Sequence, residues 1–87
     1  MLIITADMLK KGCYAKVMSV NCKGELRKQL YALGVTPKAE IIYIRSAPFG
    51  DPLEFAVRDC RIAIRKKEAQ KIVVEYDKTK WTKKRFL

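Results

Sequence analysis

Short runs of alternating apolar and polar residues dominate this chain and restrict it to a mainly β fold. Alternation of this kind turns one face of each run toward a core. Within the first run, Ala15 and Val17 fall on one face, while Met18 and Val20 fall on the other. The predicted strands are residues 13–20, 40–45, 53–57, 61–65 and 72–76. About five short strands in so small a chain favour a closed or partly closed barrel, because closure removes exposed strand edges.

The second predicted strand differs from the others because it is apolar on both faces. It contains the run Ile41-Ile42-Tyr43-Ile44. A strand with no polar face is typical of a position that is covered on both sides. We therefore predict that this strand is central.

One segment has helical spacing. Leu26, Leu30 and Leu33 recur on one stripe of residues 23–33, and Gly34 follows as a C-terminal stop. We predict an α-helix there, inserted between the first two strands. Shorter helical turns are expected over residues 5–9 and 66–70.

The connection between the second and third predicted strands has a dense loop signal. It reads Ala47-Pro48-Phe49-Gly50-Asp51-Pro52. Each proline fixes its own φ angle and favours extended backbone in the residue before it, so the loop is expected to be stiff. Phe49 lies at its middle, where a plain connection needs no aromatic side chain. Two interpretations are open: the phenyl ring is exposed for a partner, or it folds back as a lid on the core.

Length and charge indicate one domain followed by a basic tail. We predict a single domain over residues 1–76 of the 87. Residues 77–87 carry five basic groups against one acidic group, and the net charge of the whole chain is +10. Such a charge favours anionic partners, namely nucleic acid, a lipid surface or an acidic protein face. The tail, which also contains Trp81 and Phe86, is predicted to be a docking arm that could lie on an anionic membrane surface.

Cysteine usage and apolar run length indicate a soluble cytoplasmic protein. The three cysteines are odd in number and form no CxxC pair. No apolar run approaches the roughly 20 residues of a membrane-spanning helix, and the first residues do not resemble a secretory signal.

Catalytic chemistry has little support in this sequence. The chain contains no histidine, so the commonest general base and metal ligand is missing. No phosphate-binding loop, dinucleotide fingerprint or nucleophile elbow is present. We predict that the protein is not an enzyme, has no catalytic residues and uses no cofactor.

Two other functions remain open. Basic charge interleaved with aromatic residues permits nucleic-acid binding by a small β-barrel. A transition-metal sensor would result if Cys13, Cys22 and Cys60 converged in space, with Asp59 or Glu25 completing the site. The spacing of the cysteines gives no support for such a site, so the metal ligands stay unknown.

Four short segments share their order and spacing with one known family. They are Leu9-Lys10-Lys11-Gly12, Leu30-Tyr31-Ala32-Leu33-Gly34-Val35 with Pro37 after it, Ala47-Pro48-Phe49-Gly50-Asp51-Pro52 and Ile62-Ala63-Ile64-Arg65-Lys66-Lys67-Glu68-Ala69. Together they resemble the FeoA family of ferrous iron transport accessory proteins, over about residues 2–75.

The resemblance implies an SH3-like barrel with one inserted helix, working in the cytoplasm without catalytic residues. It also implies a partner, a membrane permease for ferrous iron whose cytosolic part hydrolyses GTP. The expected partner-binding residues are Pro48, Phe49, Gly50, Asp51 and Pro52 of the loop, with Arg27 and Lys28 of the helix. A homodimer is also considered, with the strands around Ile42 and Val73 as its edge.

Three positions depart from the family pattern. Gln29 stands where the family often has arginine, which argues against a role for an arginine there. Lys38 and Asp59 stand where glycine is usual or common, so locally altered turns are expected at both.

Overall fold

The computed structural model describes residues 2–76 in full and residues 77–81 as backbone. The strands are β1 (Leu2–Thr5), β2 (Cys13–Val20), β3 (Glu40–Ser46), β4 (Leu53–Val57), β5 (Cys60–Ile64) and β6 (Ile72–Trp81). The helices are a 3₁₀ turn (Ala6–Met8), α1 (Gly24–Ala32) and α2 (Lys66–Ala69). In this part of the chain, no helix has the length and apolar character needed to cross a membrane.

The six strands form one antiparallel sheet in the order β1-β6-β2-β3-β4-β5. The additional strand is β1, which pairs with β6 from Leu2 opposite Tyr76 to Thr5 opposite Val73. Its four residues show no useful alternation, so only this distant pairing reveals it as a strand.

The main core lies on one face of the sheet. Phe55 is fully buried at its centre, and the Tyr43 ring packs against it with the ring centroids 5.5 Å apart. The core also contains Ile41, Ile64, Ile72, Val17, Val57 and Val74. These residues come from β2 to β6, so every one of those strands contributes to a single core.

The prediction for Val20 was wrong. Strict alternation placed it on the outer face with Met18, but Val20 is only 8% exposed while Met18 stays exposed. The register of β2 against β6 shifts between Val17 and Ser19. One extra residue at such a bulge reverses the facing of the residues after it, which turns Val20 inward.

The predicted apolar stripe of α1 is correct at Leu30 and Leu26 but wrong at Leu33. Leu30 is buried and Leu26 packs against the core, whereas Leu33 is 44% exposed. Leu33 is the residue that ends the helix, and Gly34 follows with a φ angle of +99°. This turn directs Val35 into the core instead.

The apolar character of β3 on both faces is confirmed by its burial. Ile41 belongs to the main core, while Ile42 and Ile44 form a second buried cluster with Ala56.

The expected dimer edge is not an edge of the described sheet. β3 lies between β2 and β4, and β6 lies between β1 and β2. Neither Ile42 nor Val73 is therefore on a sheet edge, contrary to expectation; the edges of the described sheet are β1 and β5.

Positive φ angles occur at both positions where the family usually or commonly has glycine. The φ angle is +75° at Lys38 and +65° at Asp59, and Arg58 beside it has +52°. The backbone thus has the left-handed conformation that glycine adopts most easily, although none of these residues is glycine.

Candidate protein-docking site

The loop between β3 and β4 is closed by its own main-chain hydrogen bonds. The Ala47 N–H donates to the Pro52 carbonyl oxygen at 2.9 Å, and the Gly50 N–H donates to the Ala47 carbonyl oxygen at 2.7 Å. Gly50 has a φ angle of +89°, and the Asp51–Pro52 peptide bond is cis. Two bonds and two prolines in six residues leave this backbone few alternative conformations.

Phe49 projects from the tip of this loop into solvent. Its side chain is 100% exposed, whereas Phe55 in the neighbouring strand is fully buried. The interpretation of Phe49 as a lid on the core is therefore wrong. An exposed aromatic ring on a constrained loop is the kind of side chain that anchors protein interfaces.

The loop is attached to α2 through Asp51. The Lys66 backbone N–H donates to Asp51 Oδ1 at 2.8 Å, which gives the first turn of α2 an acceptor. The same end of the sheet is held by the pairing of Leu53 with Ile64. As a result, the basic residues that begin α2 lie beside the loop.

These basic residues were missing from the predicted contact set. They are Arg65, Lys66 and Lys67, and all three are exposed. The sequence contains them as a basic run within the fourth family-like segment. Nothing in the sequence connects that run to Asp51, which precedes Lys66 by 15 residues.

Among the described residues, no hydrogen bond or ion pair joins Arg27 or Lys28 to the loop, and their part in the contact set stays a prediction. Both lie on α1, which precedes β3, whereas the loop follows β3. Arg27 also has a local partner: its guanidinium carbon is 5.2 Å from the Tyr31 ring centroid, and its Nη2 donates to the Tyr31 hydroxyl at 3.3 Å. This hydrogen bond raises the pKa of Arg27.

Another polar pair lies on the outer face of the sheet. The Tyr14 hydroxyl donates to Glu40 Oε2. Burial, together with this hydrogen bond and the charge of Glu40, raises the pKa of Tyr14 to about 12. Tyr14 thus stays a neutral donor at every physiological pH, and it packs against Ile42 and Ile44.

The cysteines do not form a metal site in the described part of the chain. Cys13 is buried and its thiol donates to the Tyr76 hydroxyl at 3.3 Å, Cys22 is half-buried and Cys60 is exposed. Among residues 2–76, no three cysteine, aspartate or glutamate side chains are grouped closely enough to hold an ion. The proposed completion by Asp59 or Glu25 is therefore not seen.

The predicted basic tail begins as strand. β6 continues past Tyr76, where the sequence prediction ended it, and Trp81 is in register with Cys13 of β2. Residues 82–87, including Phe86, lie outside the described residues. The roles of the tail as a docking arm and as a contact for anionic lipid stay predictions.

Comparison with known proteins gives a consistent result. The model of the FeoA domain family matches residues 4–76. A Fe(2+) transport protein A/Fe(2+) transporter FeoB fusion protein of Porphyromonas gingivalis is 30% identical over 67 residues. That match covers 77% of this chain but only 8% of the fusion protein.

Two solved structures support the fold. Iron(II) transport protein A from Clostridium thermocellum superimposes with a TM-score of 0.81 at 33% identity, over 84% of this chain and 45% of that one. FeoA from Stenotrophomonas maltophilia was solved with zinc and is described as a prokaryotic SH3 domain protein. It superimposes with a TM-score of 0.73 at 29% identity, over 83% of this chain and 89% of that one. The expected mainly β, SH3-like fold is confirmed.

Proposed function

The chain belongs to the FeoA domain family, and we propose that it is a non-enzymatic cytoplasmic accessory protein of ferrous iron uptake. Its proposed partner is the cytosolic, GTP-hydrolysing part of a membrane ferrous iron permease. The observation that carries this proposal is the relative in which a transport protein A and a transporter FeoB share one polypeptide. Fusion holds two modules at high effective concentration, which separate chains achieve only by binding each other.

The loop from Pro48 to Pro52 is the proposed contact. Its backbone is constrained before binding, so docking costs little conformational entropy. Phe49 supplies the aromatic anchor, and its full exposure leaves the whole ring available for burial in the complex. Arg27 and Lys28 of α1 form a proposed second contact.

The test is binding between this purified chain and the purified cytosolic GTPase domain of the permease from the same organism. Calorimetry should give a defined affinity, and Phe49→Ala should weaken it about tenfold or more, as expected for an aromatic anchor. GTP hydrolysis by the domain is measured with and without the chain, and the chain alone should hydrolyse none. Absence of binding would refute the proposal. Salt-sensitive nucleic-acid binding in a gel shift, without binding to the domain, would support the alternative function.

A further inference from the structure

The surroundings of Phe49 are basic on the side of α2. Arg65, Lys66 and Lys67 are exposed, and the bond from the Lys66 N–H to Asp51 Oδ1 fixes their position beside the loop. Within residues 2–76 none of these three side chains forms an ion pair. Glu68, the acidic residue of α2, is half-buried. The start of α2 therefore presents unpaired positive charge next to an exposed aromatic ring.

A second pair of lysines lies at the same end of the barrel. Lys10 and Lys11 are exposed in the link between the 3₁₀ turn and β2. The Gly12 N–H, directly after them, donates at 2.7 Å to the carbonyl oxygen of Tyr43, the middle residue of β3, the strand that leads into the loop. The 3₁₀ turn also contacts α2. These lysines therefore extend the positive region around the loop.

The acidic groups at this end are mostly engaged. Glu54 Oε1 accepts from Arg45 Nε at 3.2 Å, so this pair contributes little net charge. The Asp51 carboxylate accepts the Lys66 N–H. An approaching surface thus meets the exposed Phe49 ring with the cations at the start of α2 beside it.

We propose that Phe49 enters an apolar pocket on a partner protein, and that aspartate and glutamate side chains around this pocket face Arg65, Lys66 and Lys67. This inference rests on the proposed function, because it assigns the acidic pocket to the GTPase part of the permease. Charge complementarity of this kind steers association, while the buried aromatic ring slows dissociation.

A protein pocket fits this tip better than a lipid surface. The neighbours of Phe49 are Pro48, Gly50 and the carboxylate of Asp51. Interfacial membrane binding needs a broad apolar face, whereas Phe49 is the one large apolar side chain of its loop. A single exposed ring suits a small cavity whose shape matches it.

The experiment measures association and dissociation rates with the cytosolic GTPase domain over a series of salt concentrations. Phe49→Ala should raise the dissociation rate about tenfold or more, while Phe49→Trp should keep it within about threefold. Lys66→Glu and Lys67→Glu, made singly, should each lower the association rate about threefold to tenfold at low salt, with little effect at high salt. Lys38→Glu is the matched control, because Lys38 is exposed before the start of β3, whereas the loop follows the end of that strand; it should change neither rate.

The outcomes separate the inference from the proposed function. If the unmodified chain binds but Lys66→Glu and Lys67→Glu behave like Lys38→Glu, the acidic residues around the partner's pocket are refuted while the proposed function stands. If Phe49→Ala dissociates from the domain at the rate of the unmodified chain, insertion of Phe49 into an apolar pocket is refuted. If the unmodified chain does not bind the domain, both fail. Phe49-dependent binding to phosphatidylserine vesicles, with domain binding unaffected by Phe49→Ala, would assign the tip to a membrane and overturn the inference.

Discussion

Lys38 has a backbone conformation that is unfavourable for a residue with a Cβ atom. Its φ angle is +75°, in the left-handed region that costs such residues about 1 kcal/mol or more. Main-chain bonds on both sides maintain it: the Lys38 N–H donates to the Val17 carbonyl oxygen, and the Val17 N–H donates to the Ala39 carbonyl oxygen, each at 2.7 Å. The link from α1 to β3 is thus fixed by pairing with β2 rather than by its own conformational preference.

Replacing Lys38 with glycine should stabilise the protein. Lys38→Gly removes the left-handed strain, but the greater freedom of glycine in the unfolded chain offsets part of this gain. We therefore expect the free energy of unfolding to increase by about 0.5–1 kcal/mol. Lys38→Ala is the control, because it removes the charge and keeps the Cβ atom. Urea denaturation of the three proteins measures the difference, and equal stabilities for the glycine and alanine variants would contradict the explanation.

The end of α1 depends on Gly34 for two separate reasons. Its φ angle is +99°, and a Cβ atom placed there would lie 3.2 Å from Val57 Cγ1 and 3.2 Å from Arg58 Cδ. The helix end thus packs directly on the hairpin between β4 and β5. Gly50 has a similar φ angle of +89°, but a Cβ atom there would meet nothing within 4 Å.

The two glycines make it possible to separate strain from packing. Gly50→Ala should lower the free energy of unfolding by about 1 kcal/mol through left-handed strain alone. Gly34→Ala should lower the free energy of unfolding by about 1–3 kcal/mol more than Gly50→Ala does, because crowding of Val57 and Arg58 is added to the same strain. Urea denaturation measures both changes. Equal losses of unfolding free energy in the two variants would show that Val57 and Arg58 move aside without an energetic penalty.

Local elements could be predicted from the sequence, whereas contacts between distant elements could not. The spacing of Leu26 and Leu30 identified α1, and the run around Ile42 identified β3, because both signals lie within the element itself. β1 was missed and Val20 was placed on the wrong face, since β6 determines both. The same holds for the candidate site. The loop was evident from its own residues, but the exposure of Phe49 and the identity of its basic neighbours depend on how the loop packs against α2.

Two phenylalanines with the same chemistry have opposite roles in this fold. Phe55 is fully buried in the core and packs against Tyr43, while Phe49 is fully exposed. A domain of this size has a total stability of about 5–10 kcal/mol. The stability lost when one central aromatic ring is removed is therefore a large fraction of that total.

Alanine substitution at the two positions should give contrasting results. Phe55→Ala should lower the free energy of unfolding by about 3–5 kcal/mol, because it leaves a cavity at the centre of the core. Phe49→Ala should change it by less than about 0.5 kcal/mol, as for other exposed positions without structural contacts. Thermal and urea denaturation measure both. A marked loss of stability in Phe49→Ala would show that the ring contacts the fold in solution.

The position of β6 between β1 and β2 determines when this sheet can close during synthesis. Residues 2–20 are made before residue 72, yet β1 pairs only with β6 in the described sheet, and β2 lacks one neighbour until β6 arrives. The β3, β4 and β5 strands are neighbours in both sequence and space, so they can pair first. Until β6 emerges, the nascent chain exposes the unpaired apolar strand β1, which makes this interval the one in which chaperones would act on it.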